Sequence, residues 1–96
     1  MFITEAKSMW NAKKDIKAML DFSEVKSAHE ADTKYEVYLC TIQRAFEQMR
    51  KEKVWSLEDA IALHEYAMNI LAERYYATLF QFERQTKSMW KFFNEI

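Results

Sequence analysis

The chain of 96 residues contains neither glycine nor proline. Tight hairpins and β-bulges rely on residues that accept positive φ, glycine above all, so a sheet protein would have almost nothing to turn with. A helical chain tolerates the lack, because Ser, Thr, Asp and Asn can start its helices and short polar links can join them. The absence therefore predicts an all-α fold. Half of the residues are hydrophobic and 30% are charged, the balance of a chain that builds a core rather than one that stays disordered. At this length a single helical domain over residues 1–96 is expected.

The organising stretch begins at Ser56, which with Asp59 forms a variant of the capping box. Beyond it, apolar residues, with His64 among them, recur at helical spacing on one line through Leu57, Ala60, Ile61, His64, Ala67, Met68, Leu71, Tyr75, Leu79 and Phe82. A second line runs along Leu63, Tyr66, Ile70, Ala77 and Phe80. So broad an apolar face belongs to a central helix packed on at least two sides, placed at about 57–84. Two more helices are expected, at about 4–20 starting at Thr4 and at about 32–53; Ser23 and Asp32 are both credible caps, so between 21 and 33 the chain either breaks or holds a short helix. Thr86 can cap a short fourth helix at 87–95, or the central helix can run on through it. The predicted architecture is a small antiparallel bundle of three to four helices. Leu39, Ile42, Phe46, Met49, Ile61, Met68, Leu71 and Leu79 are its expected core, and Val37 and Cys40 form a smaller line that can meet the first helix.

Several functional classes lack their residues. The formal charge is −1, without the basic excess of a nucleic-acid binder. No uncharged run approaches the ~20 residues of a membrane span. Glu5 and Lys7 interrupt what would be the apolar region of a secretory signal, so a cytoplasmic location is expected. The single cysteine, Cys40, cannot form an internal disulfide and reads as a partly buried structural thiol. His29 and His64 have no second ligand at a metal-binding spacing, and His64 reads as a core or interface histidine. No phosphate-cradling glycine loop exists. No catalytic, cofactor-binding or metal site is expected, and the chain reads as non-enzymatic.

From Cys40-Thr41-Ile42 through Glu47, Ser56, Ala67, Leu71-Ala72-Glu73 and Leu79-Phe80 to Ser88-Met89-Trp90-Lys91-Phe92, the chain resembles the Hha/YmoA family of gene-expression modulators. The resemblance implies a small helical cytoplasmic protein that acts by binding an H-NS-like partner. It needs one-residue gaps and leaves about the first 30 residues without a counterpart. Met68-Asn69-Ile70 stands where the family has Asp-His-Arg, and two family acids that touch the partner fall at Gln43 and Met68.

Two functional expectations follow, both carried by protein–protein contacts: a modulator of the Hha type, or a phage- or plasmid-encoded inhibitor that masks a host or defence protein. The contact surface is expected at the aromatic carboxy-terminal end, where Tyr75, Tyr76, Phe80, Phe82, Trp90, Phe92 and Phe93 cluster. Aromatic residues are enriched at such surfaces. A homodimer or a protein partner would cover them, unless residues 86–96 fold back within the monomer.

Overall fold

A computed structural model describes the backbone of residues 8–94 and the side chains of residues 8–83. The expected helix start at Thr4 lies outside that range. Three helices follow in order: α1 (Met9–Met19), α2 (Ala28–Glu52) and α3 (Leu57–Asn94), with no strand among the described residues. α1 begins where the Ser8 side chain accepts the Asn11 N–H at 3.2 Å. α3 begins at the expected cap, with the Asp59 N–H donating to Ser56 Oγ at 3.1 Å.

The start of α2 differs from expectation. Its cap is Ser27, whose Oγ accepts the Glu30 N–H at 3.1 Å, while the Glu30 carboxylate takes the Lys26 N–H at 2.9 Å. Ser27-Ala28-His29-Glu30 is itself a Ser-x-x-Glu capping signal, and it starts the helix a full turn before Asp32. Ser23 caps nothing: its N–H and hydroxyl both donate to Asp21, closing a tight turn between α1 and α2.

α2 stops at Lys53, which takes the left-handed conformation at φ 55° and donates its N–H to the Met49 carbonyl. Glycine is the usual residue for this ending. In a chain without glycine a lysine adopts it, at a steric cost of about 1–2 kcal/mol.

The long helix does not break at Thr86. α3 has 38 residues, about 57 Å at 1.5 Å per residue, within a molecule whose longest dimension is 63 Å. With no glycine or proline along its length, nothing local stops it, so residues 87–94 continue α3 instead of forming a fourth helix.

Both shorter helices pack on α3, and among the described residues the α1 and α2 backbones make no close approach to each other. Lys13 lies over the Tyr66 ring, and Arg74 reaches the Lys17 and Leu20 carbonyls, so α1 runs parallel to α3. Tyr35 meets Tyr75 and Phe46 meets His64, so α2 runs antiparallel to it. The up-down-up order makes neighbours in sequence antiparallel and the first and third helices parallel.

Side chains from all three helices share one core: Ala12, Ile16 and Leu20 from α1 and its end, Ile42, Phe46 and Met49 from α2, and Leu63, Ala67 and Leu71 from α3. Phe22, in the α1–α2 turn, meets Tyr38 edge-on at 5.5 Å. Trp55, in the link before α3, packs partly against the core, and its indole N–H finds no acceptor among the described residues.

The buried line of α3 thus falls between the two expected apolar lines. Ile61, expected in the core, is 51% exposed, because α1 occupies the opposite side of α3. Leu39, Met68 and Leu79 are half-buried. Cys40 is exposed, and so is Val37, since α1 approaches α3 and not the Val37–Cys40 side of α2.

Leu71→Ala removes a fully buried side chain and should cost ~2–5 kcal/mol in denaturant unfolding. Ile61→Ala should cost less than about 1 kcal/mol, and equal losses at the two positions would contradict this core. Lys53→Gly should raise stability by about 1 kcal/mol by relieving the left-handed backbone. No change in midpoint would contradict strain there.

Candidate interaction surface

Chemistry-bearing side chains are dispersed. His29 lies in the first turn of α2, His64 near the start of α3, and the antiparallel pairing puts them at opposite ends of the α2–α3 pair. His64 is exposed, with its ring 5.0 Å from Phe46 and nearly edge-on, so of the two readings, core or interface histidine, the core one falls. Cys40 is exposed in the middle of α2. Among the described residues no group of three His, Cys, Asp or Glu side chains could hold a metal ion. None of their helices is long and apolar enough to cross a membrane.

The lysines of α1 do not form a bare cationic strip. Lys13 sits 5.1 Å from the Tyr66 ring centre and Lys14 5.1 Å from that of Trp10, so two of its cations rest on aromatic faces. Trp10 remains 69% exposed.

What stands out is how much of α3 lies beyond its cover. Tyr75 is tied to the first turns of α2: its hydroxyl donates to Asp32 Oδ1 at 2.5 Å and its ring lies 4.5 Å from that of Tyr35. By the Tyr35–Tyr75 and Phe46–His64 pairs, Ala28, where α2 begins, lies level with about residue 82 of α3. About 12 residues of α3, ~18 Å of helix, project beyond both partner helices.

The expected interface residues separate along this axis. Tyr75 is half-buried and anchored, Phe82 is half-buried, and Tyr76 and Phe80 are 65% and 59% exposed. Trp90, Phe92 and Phe93 lie on the projecting part by their position in α3, and their side chains are outside the described residues.

A second surface lies at the other end of the α2–α3 pair, and no expectation pointed to it. An open groove of about 460 Å³ runs between the helices, floored by Phe46, Ala60 and Ile61 and edged by Glu47, Arg50 and His64. Leu57, which also lines it, is 73% exposed. The signal was present in the sequence as excess: the apolar face of α3 is wider than two neighbours can cover.

Polar clamps hold the middle of the molecule. Arg74 donates through one nitrogen to the Lys17 and Leu20 carbonyls, at 2.5 and 2.6 Å, neutralising the open C-terminal end of α1. The Tyr38 hydroxyl donates to the Asp21 carbonyl at 2.6 Å. Hydrogen bonds from the Ser23 N–H and hydroxyl hold the Asp21 carboxyl below the usual carboxylate range, and the Arg74 and Lys34 charges act the same way. The hydrogen bond to Asp32 pushes the Tyr75 hydroxyl up to about 12, with burial and the Asp32 charge adding to it.

Compared with known protein families, curated proteins and solved structures, the chain finds no match in any of the three.

The two shifted groups predict opposite pH edges. Tyr75 holds its proton more tightly folded than unfolded, so its contribution is complete below pH 10.0 and is lost as pH rises towards 12. Asp21 is shifted down, so its contribution is present above its ordinary 3.8 and is lost as pH falls below it. In a titration followed at 295 nm, one tyrosine should ionise near pH 12, and Tyr75→Phe should remove that step. Absence of that late step in the wild type would contradict the Tyr75–Asp32 bond.

Proposed function

We propose that this is a non-enzymatic protein that works by binding another protein through the uncovered carboxy-terminal part of α3. The observation that carries this reading is the pair of exposed aromatic side chains, Tyr76 and Phe80, on α3 just before the helix outruns α2. Large exposed aromatic side chains on a rigid helix offer contact area at little entropic cost, as binding surfaces do.

In its finer form we propose a modulator of gene expression of the Hha type, acting in the cytoplasm on an H-NS-like partner. Its support is the run of matching residues, yet Ile42, Ala67 and Leu71 among them are core positions here, so they speak for a helical scaffold more than for a partner. A second form, an inhibitor that masks a host or defence protein, draws on a specific observation. Gln43 and Met68 stand where the family's partner-contacting acids fall, and Met68 is half-buried against the core. A masking protein needs no acid at either place.

The test is affinity capture with the full chain, read by mass spectrometry, beside a Tyr76→Glu/Phe80→Glu variant. Both positions are exposed, so the variant should keep its helical circular dichroism and lose the captured protein. An H-NS-like protein in the wild-type eluate supports the modulator, and one other host protein supports the inhibitor. Equal capture by the variant would overturn the surface assignment. Turnover of a substrate, lost on changing His64 or Cys40, would overturn the non-enzymatic reading.

A further inference from the structure

We infer that α3 pairs antiparallel with the α3 of a second copy, seating the overhang of each chain against the α2–α3 groove of the other. This rests on the proposed role of the overhang as a contact surface and names an occupant for it. Three independent features of the molecule lead to the same arrangement.

The first is area. The chain exposes 7300 Å², whereas a compact monomer of 11.6 kDa exposes roughly 5800 Å². Its radius of gyration is 17.1 Å, against roughly 12.5 Å for a compact domain of this length. The excess, roughly 1500 Å², is ample for the ~800 Å² each partner contributes to a standard interface.

The second is the placement of uncovered apolar surface. On the side of α3 away from α1, Leu57 and Ile61 are exposed and Met68, Ala72 and Leu79 are half-exposed. Their alternating spacing of four and seven residues keeps them on one side of the helix, as a heptad-like seam. The groove beside Phe46 and Ile61 is open at one end of this seam, and the overhang projects at the other. Only an antiparallel partner brings the two together twice by one two-fold operation.

The third is charge. From Leu57 to Glu73, α3 carries Glu58, Asp59, Glu65 and Glu73 and no lysine or arginine. From Arg74 to Asn94 it carries Arg74, Arg84, Lys87 and Lys91 against the single acid Glu83. Two copies in parallel would set like charge on like, whereas antiparallel copies set the acidic half of each against the basic half of the other. Full overlap of the two helices puts the two-fold axis at the midpoint of α3, beside Tyr75 and Tyr76. In that register position 61 faces position 90, and Glu65 comes within a turn of Lys87.

Sedimentation equilibrium of the full chain and cysteine cross-linking test the pairing together. The wild type should have the mass of two chains at micromolar concentration, and Leu57→Lys/Ile61→Lys should halve that mass with helical circular dichroism unchanged. In a Cys40→Ser background, chains carrying Ile61→Cys mixed with chains carrying Trp90→Cys should cross-link 61 to 90 under mild oxidation, in preference to 61 to 61. A monomer at all concentrations up to the millimolar range would overturn the pairing while leaving the partner-capture experiment to decide the proposed function. A dimer that cross-links 61 to 61, or one that survives Leu57→Lys/Ile61→Lys, would overturn the antiparallel seam.

Discussion

Everything in this fold depends on one line of side chains, Leu63, Ala67 and Leu71, fully buried on α3. α1 and α2 do not pack backbone to backbone, and each is held in place because it delivers apolar side chains to that line. Ala67 is the small member, and its lack of bulk lets the two sets of side chains close over the helix. Burying large aliphatic residues such as Leu63, Leu71, Ile16 and Ile42 contributes about 1.5–3 kcal/mol each, so a three-helix protein this small has few such contacts to spare. The polar clamps set direction more than stability: Arg74 fixes where α1 ends against α3, and Tyr75 with Asp32 fixes where α2 begins against it.

The same absence of glycine and proline that excludes a sheet also produces the exposed surface. Folding back at Thr86 would have required a stop, and no residue between Leu57 and Asn94 provides one. The helix therefore runs on past the start of α2 to Asn94. The partner helices are shorter for an equally local reason. Ser8 and Ser27 cap their starts, the Asp21–Ser23 turn closes the first link, and Lys53 ends α2 in a left-handed conformation.

Helix class, the Ser56 cap and the central position of the long helix were legible because each rests on local chemistry or on a long periodic pattern. The start of α2 was written in Ser27 and Glu30 but stood beside the competing caps Ser23 and Asp32, and hydrogen bonding within the Asp21 turn removed one of them. Burial was less legible. Ile61 and Leu63 are both apolar and two residues apart, and only the direction from which α1 approaches decides that Leu63 is buried and Ile61 is not. Of the aromatic residues expected at a contact surface, Tyr76 and Phe80 are exposed and Tyr75 is anchored against α2. The groove beside Phe46 was legible only as excess apolar width on α3, and where it opens depends on the relative rotation of two helices, which no single stretch of sequence encodes.

Native-state hydrogen exchange resolved by residue is the most direct test of α3 as the common support. If both shorter helices depend on it, the slowest amides should lie between Leu63 and Tyr75 and exchange only through global unfolding. Amides of α1 should exchange through a smaller, separate opening that leaves α2 and α3 protected. Protection that is greatest in α1, or an α2 that stays protected while the middle of α3 exchanges freely, would contradict this account of the fold.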